Sequence, residues 1–207
     1  MNKTVDTNPS KAGGKRQLLI DIGTAIFTQK GFVSTGLDEI VQAADVPKGS
    51  FYYYFDSKDV YAHAVIANYA AYFARKLDRC LNDQTLTPLA RLRAFAADAT
   101  DGVLRFEFKR GCLVGNLGQE MGSLEGSFRV LLLEVLDTWR GRFRDCIEEA
   151  RAAGEIETPV DSTSLARFFW SGWEGAVLCA KLERSRAPLD NVVHLFFDHM
   201  LMPRDRA

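Results

Sequence analysis

Residues 35–59, TGLDEIVQAADVPKGSFYYYFDSKD, decide how the rest of this 207-residue chain is organised. Thr35 and Asp38 have the spacing of a capping box, so we predict a helix that starts at Thr35. The segment DVP at 45–47 should end that helix, because proline lacks an N–H and disfavours helical geometry in the residue before it. A second short helix should follow at once and run through Phe55. Two short helices joined by a tight turn form a helix-turn-helix, whose second helix can enter a DNA major groove.

The second helix offers polar groups that can hydrogen-bond to bases or phosphates, and Gly49 leaves room for a close approach of its backbone. If Phe51 and Phe55 face the core, Tyr53 and at least one other tyrosine must point elsewhere. The alternative is a structural helical hairpin whose aromatic residues form a core. The candidate DNA-binding residues are Lys15, Thr35, Gly36, Lys48, Gly49, Ser50, Tyr52, Tyr53, Tyr54 and Lys58.

The stretch also shares many positions, in order and without gaps, with a known family. These positions are Gly31, Phe32, Thr35, Ile40, Ala43, Val46 and the run KGSFYYYFDSKD. Over roughly residues 14–62 the chain resembles the DNA-binding domain of the TetR family of bacterial repressors. The resemblance implies an all-α homodimer, in which three amino-terminal helices bind double-stranded operator DNA and a larger domain binds an inducer. We therefore expect a flexible arm at 1–13, the helix-turn-helix domain at 14–62, and a ligand-sensing and dimerisation domain at 63–207.

Charge restricts where DNA can bind. The chain has a formal net charge of −1, and residues 1–60 contain seven basic and seven acidic side chains. A broadly basic domain is therefore absent, and DNA affinity must come from a local face. We expect Lys15, Arg16, Lys48 and Lys58 on that face, with the acidic residues turned away.

Several other classes of protein are disfavoured. The first 17 residues lack the apolar core of a signal peptide, and no apolar run approaches the ~18 residues of a membrane-spanning helix. The four cysteines are far apart and form no C-x-x-C pair, which argues against a zinc site and against a disulfide framework. We expect a cytoplasmic protein with reduced thiols, no metal, no cofactor and no membrane partner.

Helical periodicity continues along the chain without a strand signal, so we predict an all-α fold. The first helix should end at Gly31, a residue suited to the position after a helix. The segment 111–122 contains four glycines and is the weakest helix former. The remaining helices should span 58–82 after Ser57, start at Thr87-Pro88, span 125–153, start at Asp161 or Ser162, and start at Pro188.

Two segments, KRGCLVGNLGQEM and WEGAVLCAKLERSRAPL, resemble a TetR subgroup that responds to acrylate-type compounds, maleimide-type electrophiles, and hypochlorite or aldehydes. In that subgroup the cysteine of the R-G-C-L motif is the sensing thiol, which implies Cys112 here, and the lysine of the A-K segment matches Lys181. The resemblance leaves open whether the inducer binds reversibly or reacts. The candidate inducer-sensing residues are Cys112, Asn116, Trp139, Trp173 and Lys181.

The surroundings of Cys112 in the sequence favour a reactive thiol. Lys109 and Arg110 precede it, and it lies near the start of a short helix; both features lower the pKa of a thiol. The alternative is that Cys112 is a small buried hydrophobic residue.

A strip of small residues on the helix at 161–182 lies beside an unusually apolar last helix at 188–202. We predict that a second copy of the chain covers these helices in a two-fold dimer. The candidate interface residues are Gly172, Gly175, Ala176, Phe196 and Met200.

Two other functions compete with a repressor that an inducer releases from DNA. A helical enzyme with Cys112 as nucleophile would need a general base, and no histidine in the sequence is placed near Cys112. A purely structural helical dimerisation protein would leave the helix-turn-helix unexplained. We therefore predict that the chain is not an enzyme, and that its partners are operator DNA, a second copy of itself and a small-molecule inducer.

Overall fold

The computed structural model describes residues 9–121 and 126–202, with side chains described from residue 14. This part of the chain is helical and contains no strand, which confirms the predicted fold class. The helices are α1 (Pro9–Lys30), α2 (Leu37–Ala43), α3 (Lys48–Tyr54), α4 (Lys58–Leu81), α5 (Pro88–Leu104), α6 (Leu113–Met121), α7 (Gly126–Ala152), α8 (Ser162–Glu183), α9 (Ala187–His194) and a π-helical segment, Leu195–Met200.

Local signals in the sequence set most of the helix ends. Ser57 accepts a hydrogen bond from the Val60 amide at 3.1 Å, and Asp161 accepts one from the Ser164 amide at 2.9 Å, so both predicted caps are confirmed. Thr87 caps α5 in the same way. Gly31 follows α1 with φ +88, a value that favours glycine, as predicted for its position.

The predicted capping box at the start of the second helix is wrong. Helix α2 starts at Leu37 with Gly36 before it and has no side-chain cap. Thr35 is buried and donates its hydroxyl proton to the Gly31 carbonyl at 2.6 Å, so it takes no part in a capping box. Helix α1 begins at Pro9, within the segment predicted to be a flexible arm, and residues 1–8 lie outside the described residues.

The first three helices enclose a small aromatic core with the start of α4. Phe27 from α1 and Phe51 from α3 contact the ring of Tyr61 from α4, and all three are fully buried. The Tyr61 hydroxyl donates to the Leu19 carbonyl at 2.6 Å, which satisfies its buried polar end. Burial of each aromatic side chain contributes about 1.5–3 kcal/mol, so this core fixes α3 against α1.

A second aromatic cluster lies in the centre of the remaining helices. The Trp139 ring lies 4.3 Å from Phe73 of α4 and 5.1 Å from Trp170 of α8. Helix α4 thus reaches from the amino-terminal core into this cluster. None of the described helices is long and apolar enough to cross a membrane.

Candidate functional site

Helix α3 turns one face inward and the other to solvent. Phe51 is fully buried, whereas Tyr52 and Tyr53 are 52% and 64% exposed, which agrees with the predicted division of the aromatic residues. Lys48 is exposed at the start of α3 and pairs with Asp38 of α2 at 2.7 Å, and this contact raises the pKa of Lys48. Gly49 is exposed with open space around it. The exposed face of α3 therefore presents a cation, two phenols and accessible backbone.

Of the other candidate DNA-binding residues, four are at least partly exposed to solvent and two make contacts within the chain. Lys15 and Gly36 are exposed, and Ser50 and Tyr54 are half-buried. Two residues are engaged within the chain, which does not fit their predicted role. Thr35 is buried, and the Lys58 ammonium donates to the Phe32 carbonyl at 2.7 Å and lies 4.0 Å from the Phe32 ring. Burial also lowers the pKa of Lys58, and a phosphate would have to compete with the Phe32 carbonyl for its ammonium group.

A cavity of about 430 Å³ lies between α1, α4, α5 and α8 and the segment that precedes α6. Its walls include aromatic and aliphatic side chains, such as Tyr69, Phe73 and Trp173. Thr24 and Thr28 are among the α1 residues that line it. The cavity therefore shares a wall with α1, the helix that contributes Phe27 to the same aromatic core as Phe51 of α3.

The five predicted sensing residues do not all reach this cavity. Cys112 and Trp173 line it. Trp139 belongs to the aromatic core, so its predicted role in sensing is not supported. Asn116 donates its side-chain amide to the carbonyls of Phe27 and Thr28 at the end of α1. The Lys181 side chain approaches Gly111, the residue before Cys112, and burial lowers the pKa of this lysine.

Cys112 does not have the low pKa that its neighbours in the sequence suggested. Burial, followed by the nearby charge of Glu174, raises the pKa of the Cys112 thiol well above its ordinary value. The two flanking cations are engaged elsewhere. Lys109 pairs with Glu107, and the Arg110 guanidinium stacks over the Phe106 ring at 4.2 Å. The resting thiol is therefore protonated, and any reaction at Cys112 needs a group that removes the proton.

Glu174 was missed by the sequence analysis. It lies on α8 next to Trp173 and lines the cavity, where its carboxylate lies close to Cys112. Burial raises the pKa of Glu174 to about 7, and its Oε1 atom is buried without a hydrogen-bond partner among the described residues. The signal was a carboxylate on the apolar stripe of α8, within the quoted segment WEGAV.

Helix α6 joins the cavity to the amino-terminal helices. The Glu120 carboxylate accepts hydrogen bonds from the amides of Phe32 at 2.7 Å and Val33 at 3.0 Å. The Gly111 amide donates to the Thr28 carbonyl at 2.9 Å, next to the bonds from Asn116. We call Gly111, Asn116 and Glu120 the α6 clamp. Because Cys112, Asn116 and Glu120 are spaced by four residues, one face of α6 links the cavity to the turn after α1.

The predicted dimer interface needs correction. Phe196 is fully buried within its own chain, 5.1 Å from the Phe169 ring, and Ala176 is also buried. Gly172 faces Val192 of α9 in the same chain, so its predicted contact with a second copy is not supported. Gly175 is exposed with open space around it, and Met200 is half-buried. The exposed apolar side chains of α8 are Phe168, Leu178 and Leu182.

Comparison with known proteins agrees with these features. Residues 19–65 match the family of bacterial regulatory proteins of the tetR type, and residues 88–196 match the tetracyclin repressor-like C-terminal domain. The transcriptional regulator AcuR of Cereibacter sphaeroides is 50% identical over 185 residues, which cover 89% of this chain and 84% of AcuR.

Solved structures extend the comparison. The crystal structure of regulatory protein TetR from Rhodobacter sphaeroides superimposes with a TM-score of 0.86 at 50% identity, covering 89% of this chain and 98% of that one. Reduced E. coli NemR gives a TM-score of 0.80 at 25% identity, covering 93% and 100%. These relatives are regulators, so the prediction that the chain is not an enzyme is confirmed. The chain belongs to the TetR family and is a helix-turn-helix transcriptional repressor.

Proposed function

We propose that this repressor binds operator DNA through α3 and releases it when a small acrylate-like or electrophilic inducer enters the cavity. The observation that carries the proposal is the cavity itself, which has Cys112 on one wall and α1 on another. Its volume of about 430 Å³ lies within the range of about 300–1,000 Å³ that is usual for small-molecule sites. We assign this activity to the cytoplasm, where operator DNA is accessible.

The guanidinium groups that line the cavity favour an inducer that bears a carbonyl group. Arg75 and Arg110 line it, together with Lys76, which already pairs with Asp98 at 3.1 Å. A carboxylate or ester oxygen can accept hydrogen bonds from the guanidinium groups. The apolar walls fit a short unsaturated carbon chain, in agreement with the resemblance to acrylate-responsive repressors.

The α6 clamp supplies a route from inducer to DNA. A ligand or adduct at Cys112 would displace the start of α6, and Glu120 at its other end holds the turn at Phe32 and Val33. A shift of that turn changes how α1 and α3 are presented to DNA. A difference of about 3 kcal/mol between the two states is sufficient to lower operator affinity by roughly 150-fold.

A second copy of the chain is the proposed partner of α8. Its exposed residues Phe168, Ser171, Gly175, Leu178 and Leu182 follow the spacing of a seven-residue repeat, which is typical of a helix–helix seam. The two copies of α3 would then bind half-sites ~34–36 Å apart or a multiple of this distance. Sedimentation of the wild-type chain as a folded monomer at micromolar concentration would contradict this arrangement.

Replacing Lys48 with alanine should weaken operator binding by about 1–3 kcal/mol if the ammonium exchanges Asp38 for a base edge. The loss should be largest for one base pair of the operator, because a base contact carries sequence information. Fluorescence anisotropy with a set of single-base operator variants measures it. Lys109→Ala is the matched control, since Lys109 is an exposed lysine paired with an acid outside α3. Equal affinities for the Lys48 and Lys109 variants would remove Lys48 from the DNA contact.

Treatment with sodium acrylate, methyl acrylate or N-ethylmaleimide should release the operator from the wild-type protein. The inducer is expected to fill the cavity, so half-maximal release should require far less of an active compound than of propionate, which lacks the double bond. Gel-shift titration measures release, and intact-protein mass spectrometry detects any adduct. Cys112→Ser should abolish the response to compounds that form an adduct. If none of these compounds releases the operator, the proposed inducer class is wrong.

A further inference from the structure

The carboxylate of Glu174 has an arrangement that a purely structural role does not require. It lies in a mostly apolar cavity close to Cys112, since a Cβ atom at Gly115 would contact both the Glu174 carboxylate and the Cys112 Cβ atom. Its Oε1 atom is buried without a hydrogen-bond partner among the described residues. Gly115 of α6 lies so close to the Glu174 carboxylate that a side chain at residue 115 would collide with it. A glycine at this point therefore allows the carboxylate to reach the thiol.

Leaving a carboxylate oxygen buried and unpaired costs free energy, and such groups often mark functional sites. The titratable groups that interact with the Glu174 carboxylate are the Cys112 thiol and the buried Tyr69 hydroxyl, which also lines the cavity. The other charged residues that line the cavity are Asp21, Arg75, Lys76 and Arg110. Among the described residues, Glu174 is the carboxylate that lies beside the thiol.

We propose that Glu174 is the general base that enables Cys112 to add to an α,β-unsaturated carbonyl compound in the cavity. The Glu174 carboxylate takes the proton of the S–H bond as the sulfur electron pair forms a bond to the β-carbon. The π electrons of the C=C bond move toward the carbonyl, giving an enolate. Glu174 then returns the proton to the α-carbon. The net reaction adds S–H across the double bond and consumes no other reagent.

This inference rests on the proposed function, because it assumes that a reactive inducer enters the cavity. It goes further by assigning the proton transfer to one residue and by defining the inducer as a neutral electrophile with a polarised double bond. A carboxylate next to the reacting centre disfavours an anion there, so methyl acrylate should react faster than acrylate.

The experiment compares the rate of adduct formation by methyl acrylate in wild type, Glu174→Gln and Glu183→Gln, followed by intact-protein mass spectrometry from pH 5.5 to 8.5. Glutamine preserves the shape of the side chain but cannot accept the proton, so the rate should fall about 100-fold or more. The wild-type rate should rise through a pH of about 7 as Glu174 ionises, and this inflection should be missing in Glu174→Gln. Glu183 is exposed on the same helix, and its variant should behave like the wild type.

A second variant guards against a folding defect in the first. Gly115→Ala keeps both reacting groups but pushes the carboxylate away from the thiol, so it should also lower the rate of adduct formation. Operator binding before treatment checks that each variant is folded. If Glu174→Gln reacts at the wild-type rate with the wild-type pH profile, Glu174 is not the base, although the proposed function stands as long as operator release persists. If no compound releases the operator from wild type, the proposed function fails independently of these rates.

Discussion

Replacing Gly31 with alanine should lower the free energy of unfolding by about 2–5 kcal/mol and weaken operator binding. Gly31 has φ +88, a conformation that costs a residue with a side chain about 1–3 kcal/mol. The new methyl group would also collide with the Glu120 carboxylate, which accepts hydrogen bonds from the next two amides. Losing these charge-assisted bonds adds about 1–3 kcal/mol. Urea unfolding followed by circular dichroism measures the total.

Gly36→Ala provides the matched control for this variant. Gly36 is close in sequence to Gly31, but it has φ −80 and open space where a side chain would lie. Alanine there should be neutral or stabilise slightly, by less than about 1 kcal/mol. Similar urea midpoints for the two variants would mean that Glu120 does not hold the turn after α1.

Replacing Glu174 with glutamine should stabilise the protein at pH 8 and have little effect near pH 4.5. Burial raises the pKa of Glu174 from 4.5 to about 7, so between these values the folded chain binds more protons than the unfolded chain. The free energy of unfolding of the wild type therefore falls relative to that of the variant as pH rises from about 4.5 to 7, and this difference persists above pH 7. It amounts to about 1–3 kcal/mol after allowance for screening by solvent in the cavity.

The measurement is the difference in free energy of unfolding between wild type and Glu174→Gln at several pH values. Because other groups titrate equally in both proteins, the difference isolates Glu174. Glu183→Gln, an exposed substitution on the same helix, should show no such trend. A constant difference between pH 5 and pH 8 would mean that Glu174 ionises normally and that its burial has little energetic consequence.

The helices themselves could be predicted because their signals are local. Ser57, Thr87 and Asp161 each cap a helix within a few residues of their own position, and the two exposed tyrosines of α3 follow from helical geometry alone. Thr35 is the exception among the caps. Its hydroxyl donates to the Gly31 carbonyl, so it does not cap α2.

The contacts that make the site could not be predicted because they join distant parts of the chain. Glu120 and Phe32 are 88 residues apart, and nothing in either local pattern indicates the other. The same holds for Cys112 and Glu174. Sequence proximity was misleading for Lys109 and Arg110. The preceding residues Glu107 and Phe108 adopt positive φ values in a turn, Lys109 pairs with Glu107, and Arg110 stacks over the Phe106 ring on the cavity wall.

Helix α1 connects the DNA-binding helices to the cavity. Its residue Phe27 packs in the aromatic core that also holds α3, and its neighbour Thr28 lines the cavity. Any compound that binds better to one position of α1 must, by thermodynamic linkage, be bound less well when DNA holds the other position. The factor by which the compound lowers the affinity for DNA equals the factor by which DNA lowers the affinity for the compound. A tight operator would therefore make its own repressor less sensitive to the inducer, and genes with weaker operators would respond at lower concentrations of the same compound.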